Sequence, residues 1–360
     1  MRWEVKQSMG RKTKVGVHIL LGFLTLLLSL NLNVVGAQDP SPRARILMDL
    51  SHAERISIGG EISPNLYTEK NKRVVPLDNW AHFLTRKGYS VTLLTHNPIT
   101  SEKLEGYDIL VVAEPDRNKS KKPAYFSPDE VSAIKHFVEE GGGLLLVGDP
   151  LVKGEVSRQG IMSILDSLVK QGMEYILFRR SLLPDIRQFM MDFKTKYYYS
   201  EVLNDLTRGM GVGIEFCQDV IAAETEDCIQ PAPPKQLLPR GANIWIEEGQ
   251  KDHPLWEGID RFGYIWGCSL DVTGDAQALA WAGESTFTSA KTSRLDPIIK
   301  NPGSYPVAMA EAKYGKGRIL ALGDLNLWEG DAAGFYVFDD PSYNGQRLAL
   351  NVANYLSEYS

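Results

Sequence analysis

The chain has 360 residues, 43% of them hydrophobic, and its 45 acidic residues outnumber 39 basic residues to give a net charge of −6. This hydrophobic fraction excludes an intrinsically disordered chain, and the length suffices to bury a core without disulfides or metal ions. The acidic balance argues against a general nucleic-acid binder, which needs a basic surface.

The first 37 residues have the pattern of a secretory signal peptide. Five basic residues and one acidic residue lie among the first 14, and residues 15–30 follow without a charge. Small residues at Gly36 and Ala37 then precede the polar Gln38. We therefore predict cleavage after Ala37. The alternative is an uncleaved anchor, because the 23 uncharged residues 15–37 exceed the roughly 20 that span a bilayer.

Either outcome exports the rest of the chain. We therefore expect a periplasmic, cell-surface or secreted protein that meets a membrane only through an uncleaved leader. Residues 38–360 carry 34 basic and 44 acidic residues, a net charge of −10. Because cysteines can pair in an oxidising compartment, Cys217 and Cys228 are candidates for a disulfide bridge that would leave Cys268 unpaired. Three reduced thiols are the alternative.

The first half of the chain alternates between predicted strands and helices. Apolar runs at 45–50, 90–94, 109–113 and 144–147 predict buried strands. One helix is predicted to begin at Asp78 and to end at Gly88. Another begins with Ser127-Pro128-Asp129-Glu130, the pattern of a capping box with proline at the first helical position. Strands that are apolar on both faces and separated by helices predict a parallel sheet covered on both sides.

The second half is predicted to add further helices and strands. Helices are expected at 158–170, 182–206 and 345–357, and strands at 243–247, 263–272, 278–282, 307–312 and 318–322. The last two strands are joined by Tyr314-Gly315-Lys316-Gly317, which predicts a hairpin.

An ordered set of motifs links these elements. They are Asp49-Leu50-Ser51-His52-Ala53-Glu54, Gly106-Tyr107-Asp108-Ile109, Phe126-Ser127-Pro128-Asp129-Glu130, Gly141-Gly142-Gly143-Leu144, Gly148-Asp149, His253-Pro254-Leu255, Tyr314-Gly315-Lys316-Gly317-Arg318 and Gly323-Asp324. This set resembles the class I glutamine amidotransferase-like superfamily. Within it, the chain looks like the branch of gliding-motility auxiliary proteins, intraflagellar-transport proteins and uncharacterised exported bacterial proteins.

The resemblance implies a flavodoxin-like three-layer α/β sandwich with a mainly parallel central sheet. It covers residues 45–150 and 250–358. We therefore expect a single amidotransferase-like domain at 38–360, with an insertion at about 151–240.

The resemblance also raises the question of a catalytic nucleophile. Active amidotransferases of this superfamily carry a cysteine on the turn after the strand that residues 144–147 would form. Here that turn reads Gly148-Asp149-Pro150. Because acyl transfer needs a polarised thiol or hydroxyl on such a turn, we expect no amidotransferase activity and no catalytic residue. The branch that the chain resembles is used for binding or assembly.

Acidic residues follow three of the predicted strands at the ends where α/β sheets bind ligands. The candidate ligand-binding residues are Asp49, Ser51, His52, Glu54, Asp149 and Asp324. If they converge on one cleft, their oxygens suit a divalent cation or the hydroxyls of a sugar. The sequence predicts no other cofactor. The alternative is that each aspartate caps a turn or a helix and that His52 is a hydrogen-bonded structural residue.

The sequence thus predicts an exported, non-catalytic domain that acts as a binding or assembly module in the cell envelope. The expected partner is an envelope protein, a small molecule or a glycan, and not a nucleic acid. The alternative is a hydrolase of glycans or another extracellular substrate, which would use Asp49, His52, Asp149 and Asp324, with His52 as a general base.

Overall fold

The computed structural model describes residues 42–52, 78–94, 98–113, 115, 125–149, 199–223, 228–229, 242–289, 298–328 and 338–358. The elements within these ranges all belong to the unit Arg43–Ser360. The predicted leader, the predicted helix 158–170 and most of 182–206 lie outside the described residues. No helix in the described ranges is long and apolar enough to cross a membrane.

The described elements alternate between strand and helix in the first half of the chain, as predicted. The strands are β1 (Arg45–Asp49), β2 (Ser90–Leu94), β3 (Ile109–Ala113), β4 (Gly143–Val147), β5 (Ile214–Phe216), β6 (Val220–Ala222), β7 (Asn243–Ile246), β8 (Glu248–Gly249), β9 (Phe262–Ile265), β10 (Leu270–Val272), β11 (Gln277–Trp281), β12 (Phe287–Ser289), β13 (Ile298–Lys300), β14 (Val307–Tyr314) and β15 (Gly317–Leu322). The α-helices are α1 (Asp78–Arg86), α2 (Ser101–Leu104), α3 (Pro128–Glu139), α4 (Tyr199–Met210) and α5 (Gly345–Ser357).

The main sheet has the strand order β2-β1-β3-β4-β15-β14-β10-β5, and β11 and β8 extend it beside β14. The pairs from β2 through to β15 are parallel. Those beyond β15 are antiparallel. The parallel part has the 2-1-3-4-5 order of flavodoxin-like folds. The predicted flavodoxin-like α/β architecture with a parallel sheet at its centre is confirmed.

A hydrophobic core lies on each face of this sheet. Along β4, Leu145 and Val147 point into the first core, and Leu144 and Leu146 point into the second. This is why the strand is apolar at consecutive positions. Helices α1 and α5 and strands β7 and β9 cover the first core, and α3 and α4 cover the second. The result is a three-layer sandwich.

The predicted turn between the last two strands is confirmed. Strands β14 and β15 pair from Met309 with Leu322 to Tyr314 with Gly317. Gly315 has a φ of 59°, and a Cβ there would lie 2.5 Å from the Glu139 Cα. Glycine is therefore required both by the left-handed turn and by the close approach of α3.

The single strand predicted at 263–272 is wrong. The strand is interrupted at Trp266, which has a φ of 62°. Before this residue, β9 pairs with β7 in a two-stranded sheet; after it, β10 belongs to the main sheet. A tryptophan in the left-handed region cannot continue a strand, although the apolar residues around it suit one.

Part of the predicted insertion is integrated into the sandwich. Helix α4 packs on the second core, and β5 forms the far edge of the main sheet. Residues 151–198, 224–227 and 230–240 of that range lie outside the described residues.

Candidate functional site

The carboxyl ends of β1, β4 and β15 lie at one edge of the main sheet, because these strands are parallel and are separated only by β3. The sequence places candidate residues at each of these ends. Glu54 lies outside the described residues, and the other five candidates are described. Among the described residues, no group of three or more His, Cys, Asp or Glu side chains is arranged to hold a metal ion.

Asp49, Ser51 and His52 form one hydrogen-bonded group at the end of β1. The His52 Nδ1 donates to Asp49 Oδ2 at 2.7 Å, and the Ser51 hydroxyl donates to Asp49 Oδ1 at 2.5 Å. The backbone N–H of Ser51 donates to the same Oδ1 at 2.9 Å. Asp49 and His52 are only 2% and 4% exposed. Asp49 therefore terminates β1 in a tight turn, as the alternative interpretation expected of each aspartate.

Glu130 completes this group from the other side. The His52 Nε2 lies 3.3 Å from Glu130 Oε1, and the ring of Phe126 packs 4.1 Å from the imidazole. Glu130 also accepts the backbone N–H of Ile99 and of Ser127, each at 2.9 Å. From the sequence, Glu130 is recognisable only as part of the capping box. Its contact with His52 depends on the packing of α3 beside β1, which no local pattern encodes.

The charges of this group favour a protonated histidine. Burial lowers the pKa of His52, but the hydrogen bond that its ring donates to Asp49 and the charges of Asp49 and Glu130 outweigh it and raise the pKa. Burial raises the pKa of Glu130, but hydrogen bonds from Ser127 and Ile99 and the charge of His52 lower it overall. His52 thus lies between two carboxylates with both ring nitrogens engaged. In this state neither nitrogen is available to accept a proton from a substrate.

A second group lies at the ends of β4 and β15. The Asn326 side-chain N–H donates to Asp149 Oδ1 at 3.3 Å and to the carbonyl of Ile265 at 2.9 Å. Asp324 is fully buried and accepts the backbone N–H of Ile265 at 2.6 Å and that of Asn326 at 2.8 Å. Burial raises the pKa of Asp324 to about 7, although these hydrogen bonds oppose the shift. Asn326 was missed by the sequence analysis because nothing in its neighbourhood distinguishes it from a loop asparagine.

The candidate residues therefore do not form a single hydrogen-bonded set. The Asp49–His52 group contacts α3, which covers the second core, whereas Asp324 contacts Ile265 of β9, which belongs to the first core. Strands β4 and β15 are neighbours, whereas β3 separates both from β1. The sequence could not predict that the two groups face opposite layers of the sandwich.

The turn after β4 carries no thiol or hydroxyl in its described part, Gly148 and Asp149. Gly148 continues the ladder by donating its N–H to Leu322, and a Cβ there would lie 2.5 Å from the Phe216 ring. Phe216 thus occupies the space beside this turn.

Cys217, Cys228 and Cys268 are reduced, so the candidate bridge between Cys217 and Cys228 is not formed in this structure. The two sulfurs have different surroundings. Cys217 Sγ lies 3.8 Å from the Lys300 ammonium, and Cys228 Sγ lies 3.6 Å from the carbonyl of Ala223. Burial raises the pKa of Cys217 to about 11, which keeps the thiol protonated and unreactive at neutral pH.

Comparisons with known proteins show likenesses in structure only. No family model matches the sequence, and none of the curated proteins compared with it does. The mmIFT52 N-terminal domain is 15% identical, with a TM-score of 0.49 over 87% of this chain and 97% of that domain. Cytoplasmic Protein STM3548 from Salmonella typhimurium is 14% identical, with a TM-score of 0.44 over 87% of this chain and 98% of that protein.

A ThuA-like protein from Bacteroides uniformis is 13% identical, with a TM-score of 0.37 over 89% of this chain and 94% of that protein. These likenesses concern the fold alone.

Proposed function

We propose that the protein is an exported, non-catalytic amidotransferase-like domain that binds a ligand or a partner in the cell envelope. The observation that carries the proposal is the turn after β4, where Gly148 and Asp149 stand in place of a nucleophile. The engagement of both His52 nitrogens by Asp49 and Glu130 supports it, because a general base needs a free nitrogen. Export is proposed from the leader pattern of residues 1–37.

The binding role is proposed for the carboxyl edge of the sheet. Asp149 and Asn326 are half-buried there and join the ends of β4 and β15. Ligands of open α/β sheets bind beyond this edge. A divalent cation, a small molecule, a glycan or an envelope protein is the proposed class of partner, and the net charge of −6 disfavours nucleic acid.

A thermal-shift screen against divalent cations, sugars, nucleotides and amino acids tests the binding role. A ligand that binds only the folded state stabilises it by about 2.7 kcal/mol at a hundredfold excess over its dissociation constant. We expect one of these ligand classes to raise the midpoint of thermal unfolding of the full chain. The same ligand should leave the midpoint of the Asp149→Asn variant unchanged. Asp252→Asn, a substitution at an exposed position, is the matched control and should keep the rise.

Turnover assays separate this proposal from the hydrolase alternative. The same protein is incubated with polysaccharides and esters, and the products are measured by chromatography. We expect no products, because the described part of the turn after β4 carries no thiol or hydroxyl and both ring nitrogens of His52 are engaged by carboxylates. Turnover that disappears in His52→Ala or Asp149→Asn would establish the hydrolase instead.

A further inference from the structure

A cleft opens at the amino-terminal edge of the main sheet, opposite the carboxyl edge. It lies between α2 and the carboxyl end of α3, next to the residues that lead into the parallel strands β3 and β4, and its volume is about 490 Å³. Sites for small organic molecules usually have volumes of roughly 300–1,000 Å³. The cleft is therefore large enough to hold such a molecule.

The walls of the cleft are largely apolar. Leu104 of α2 and Ala133 of α3 contribute buried side chains to them. Tyr107 and Phe137 are half-buried and pack against the second core. The Phe137 ring lies against the backbone of Gly142, where a Cβ would lie 2.4 Å from the ring. The two aromatic residues thus give the cleft an apolar surface, which suits the hydrocarbon part of a ligand.

The rim of the cleft is acidic. Four carboxylates line it, those of Glu102, Glu105, Asp108 and Glu140. Of the described residues that line the cleft, His136 is the one basic side chain, with no lysine or arginine. Glu102 and Glu105 are exposed to solvent, and Asp108 is half-buried. Clustered carboxylates give a cleft a negative potential, which attracts cations and repels anions.

Two basic side chains near the cleft offset part of this negative charge. Lys316 Nζ lies 3.0 Å from Glu140 Oε2, and the Arg45 guanidinium lies 4.9 Å from the centre of the Tyr107 ring. The carboxylates of the rim still outnumber these two cations. The end of α3 at Glu139 adds a partial negative charge, because the dipole of a helix is negative at its carboxyl end. The cleft therefore favours a cation over a neutral molecule or an anion of the same shape.

We propose that this cleft is a binding site for an organic amine. The ammonium group of the amine contacts the carboxylates of Glu102 and Glu105 at the rim. Its hydrocarbon part packs against Tyr107 and Phe137 on the walls. This site is additional to the proposed function, because it lies at the opposite edge of the sheet from Asp149. Binding is reversible and uses no cofactor and no covalent step.

The site is tested with phenethylamine, which joins one ammonium group to one aromatic ring. Its affinity for the full chain is measured by isothermal titration calorimetry and compared with the affinities of 2-phenylethanol, phenylacetate and methylamine. We expect phenethylamine to bind at least about tenfold more tightly than each of the other three, because they lack either the positive charge or the apolar part. Raising the sodium chloride concentration from about 0.05 M to about 0.5 M should weaken the binding, since salt screens exposed carboxylates.

The double variant Glu102→Gln and Glu105→Gln locates the site. Both glutamates are exposed, so we expect this variant to keep the unfolding midpoint of the wild type and to bind phenethylamine about tenfold more weakly. The double variant Glu248→Gln and Glu284→Gln is the matched control. It removes the same net charge from two exposed glutamates that do not line the cleft, and its affinity for phenethylamine should be unchanged.

Three results would overturn the amine site. They are the absence of phenethylamine binding at about 10 mM, equal binding of the neutral alcohol, and undiminished affinity in the double variant of Glu102 and Glu105.

Asp149→Asn separates the amine site from the proposed function. We expect this variant to bind phenethylamine as the wild type does, because Asp149 lies at the other edge of the sheet. Loss of binding in this variant would place the amine at the carboxyl edge, which overturns the amine site and supports the proposed function. If no ligand of the carboxyl edge is found while amine binding depends on Glu102 and Glu105, the proposed function fails and the amine site stands.

Discussion

At the residue scale, His52 illustrates how one side chain can support either a catalytic or a structural interpretation. From the sequence, Ser51-His52 at a strand end is typical of a general base as well as of a turn. The structure places the imidazole between Asp49 and Glu130, with all three side chains buried. The charged His52 ring pairs with Asp49 at the end of β1 and with Glu130 at the start of α3. This contact between two elements is a structural role.

Replacing His52 with alanine should lower the stability of the folded protein. His52→Ala leaves Asp49 and Glu130 buried without their cation, so we expect the free energy of unfolding to fall by about 3 kcal/mol. Urea denaturation near pH 6 measures the loss. The matched control, His82→Ala on the exposed side of α1, should change stability by less than about 0.5 kcal/mol.

The pH dependence of this loss reports the protonation of His52. Because its folded-state pKa is raised above 6.5, the stabilisation is fully present below pH 6.5 and is lost as the pH rises through the raised value. The difference between wild type and His52→Ala should therefore shrink in alkaline solution. A difference that stays constant from pH 6 to alkaline pH would show that the histidine is neutral in the folded state.

At the element scale, the start of α3 combines a local signal with a long-range contact. The Ser127 hydroxyl accepts the backbone N–H of Glu130 at 3.3 Å, and the Glu130 carboxylate accepts the backbone N–H of Ser127. This reciprocal cap was predicted from four consecutive residues. The same carboxylate then reaches His52, so the cap also orients the group at the end of β1.

Ser127→Ala removes one half of the cap. We expect a loss of about 1 kcal/mol in the free energy of unfolding, because a helix N-terminus loses one hydrogen-bond acceptor. Ser132→Ala, at an exposed position of the same helix, is the control and should be close to neutral. Equal effects of the two substitutions, measured by urea denaturation, would contradict a stabilising role for the cap.

At the scale of the whole molecule, the proposal of export is tested at the leader. The leader pattern predicts that the mature protein begins at Gln38 and carries a net charge of −10. Expression of the full chain in a secreting host, followed by intact-mass measurement, tests this. We expect the mass of residues 38–360, and retention of the leader when Ala37 is replaced by Arg. A full-length mass in the wild type would establish the uncleaved anchor.

The predictions from sequence succeeded where the signal is local. Apolar runs predicted the parallel strands β1 to β4, Tyr314-Gly315-Lys316-Gly317 predicted the hairpin, and the spacing of apolar residues predicted α5. The one strand predicted at 263–272 failed because the break at Trp266 is imposed by the crossing between two sheets. No residue near Trp266 in the sequence requires a left-handed backbone at that position.

The sequence by itself determined the α/β alternation, the caps and turns, and the residues Gly148 and Asp149 that follow β4. These features depend on residues within a few positions of one another, through backbone hydrogen bonds and side-chain periodicity. Only the tertiary structure decided that His52 meets Glu130 and that Asn243 lies opposite Ile265 across β7 and β9. Such contacts depend on strand order and register, which are set by packing across the two cores.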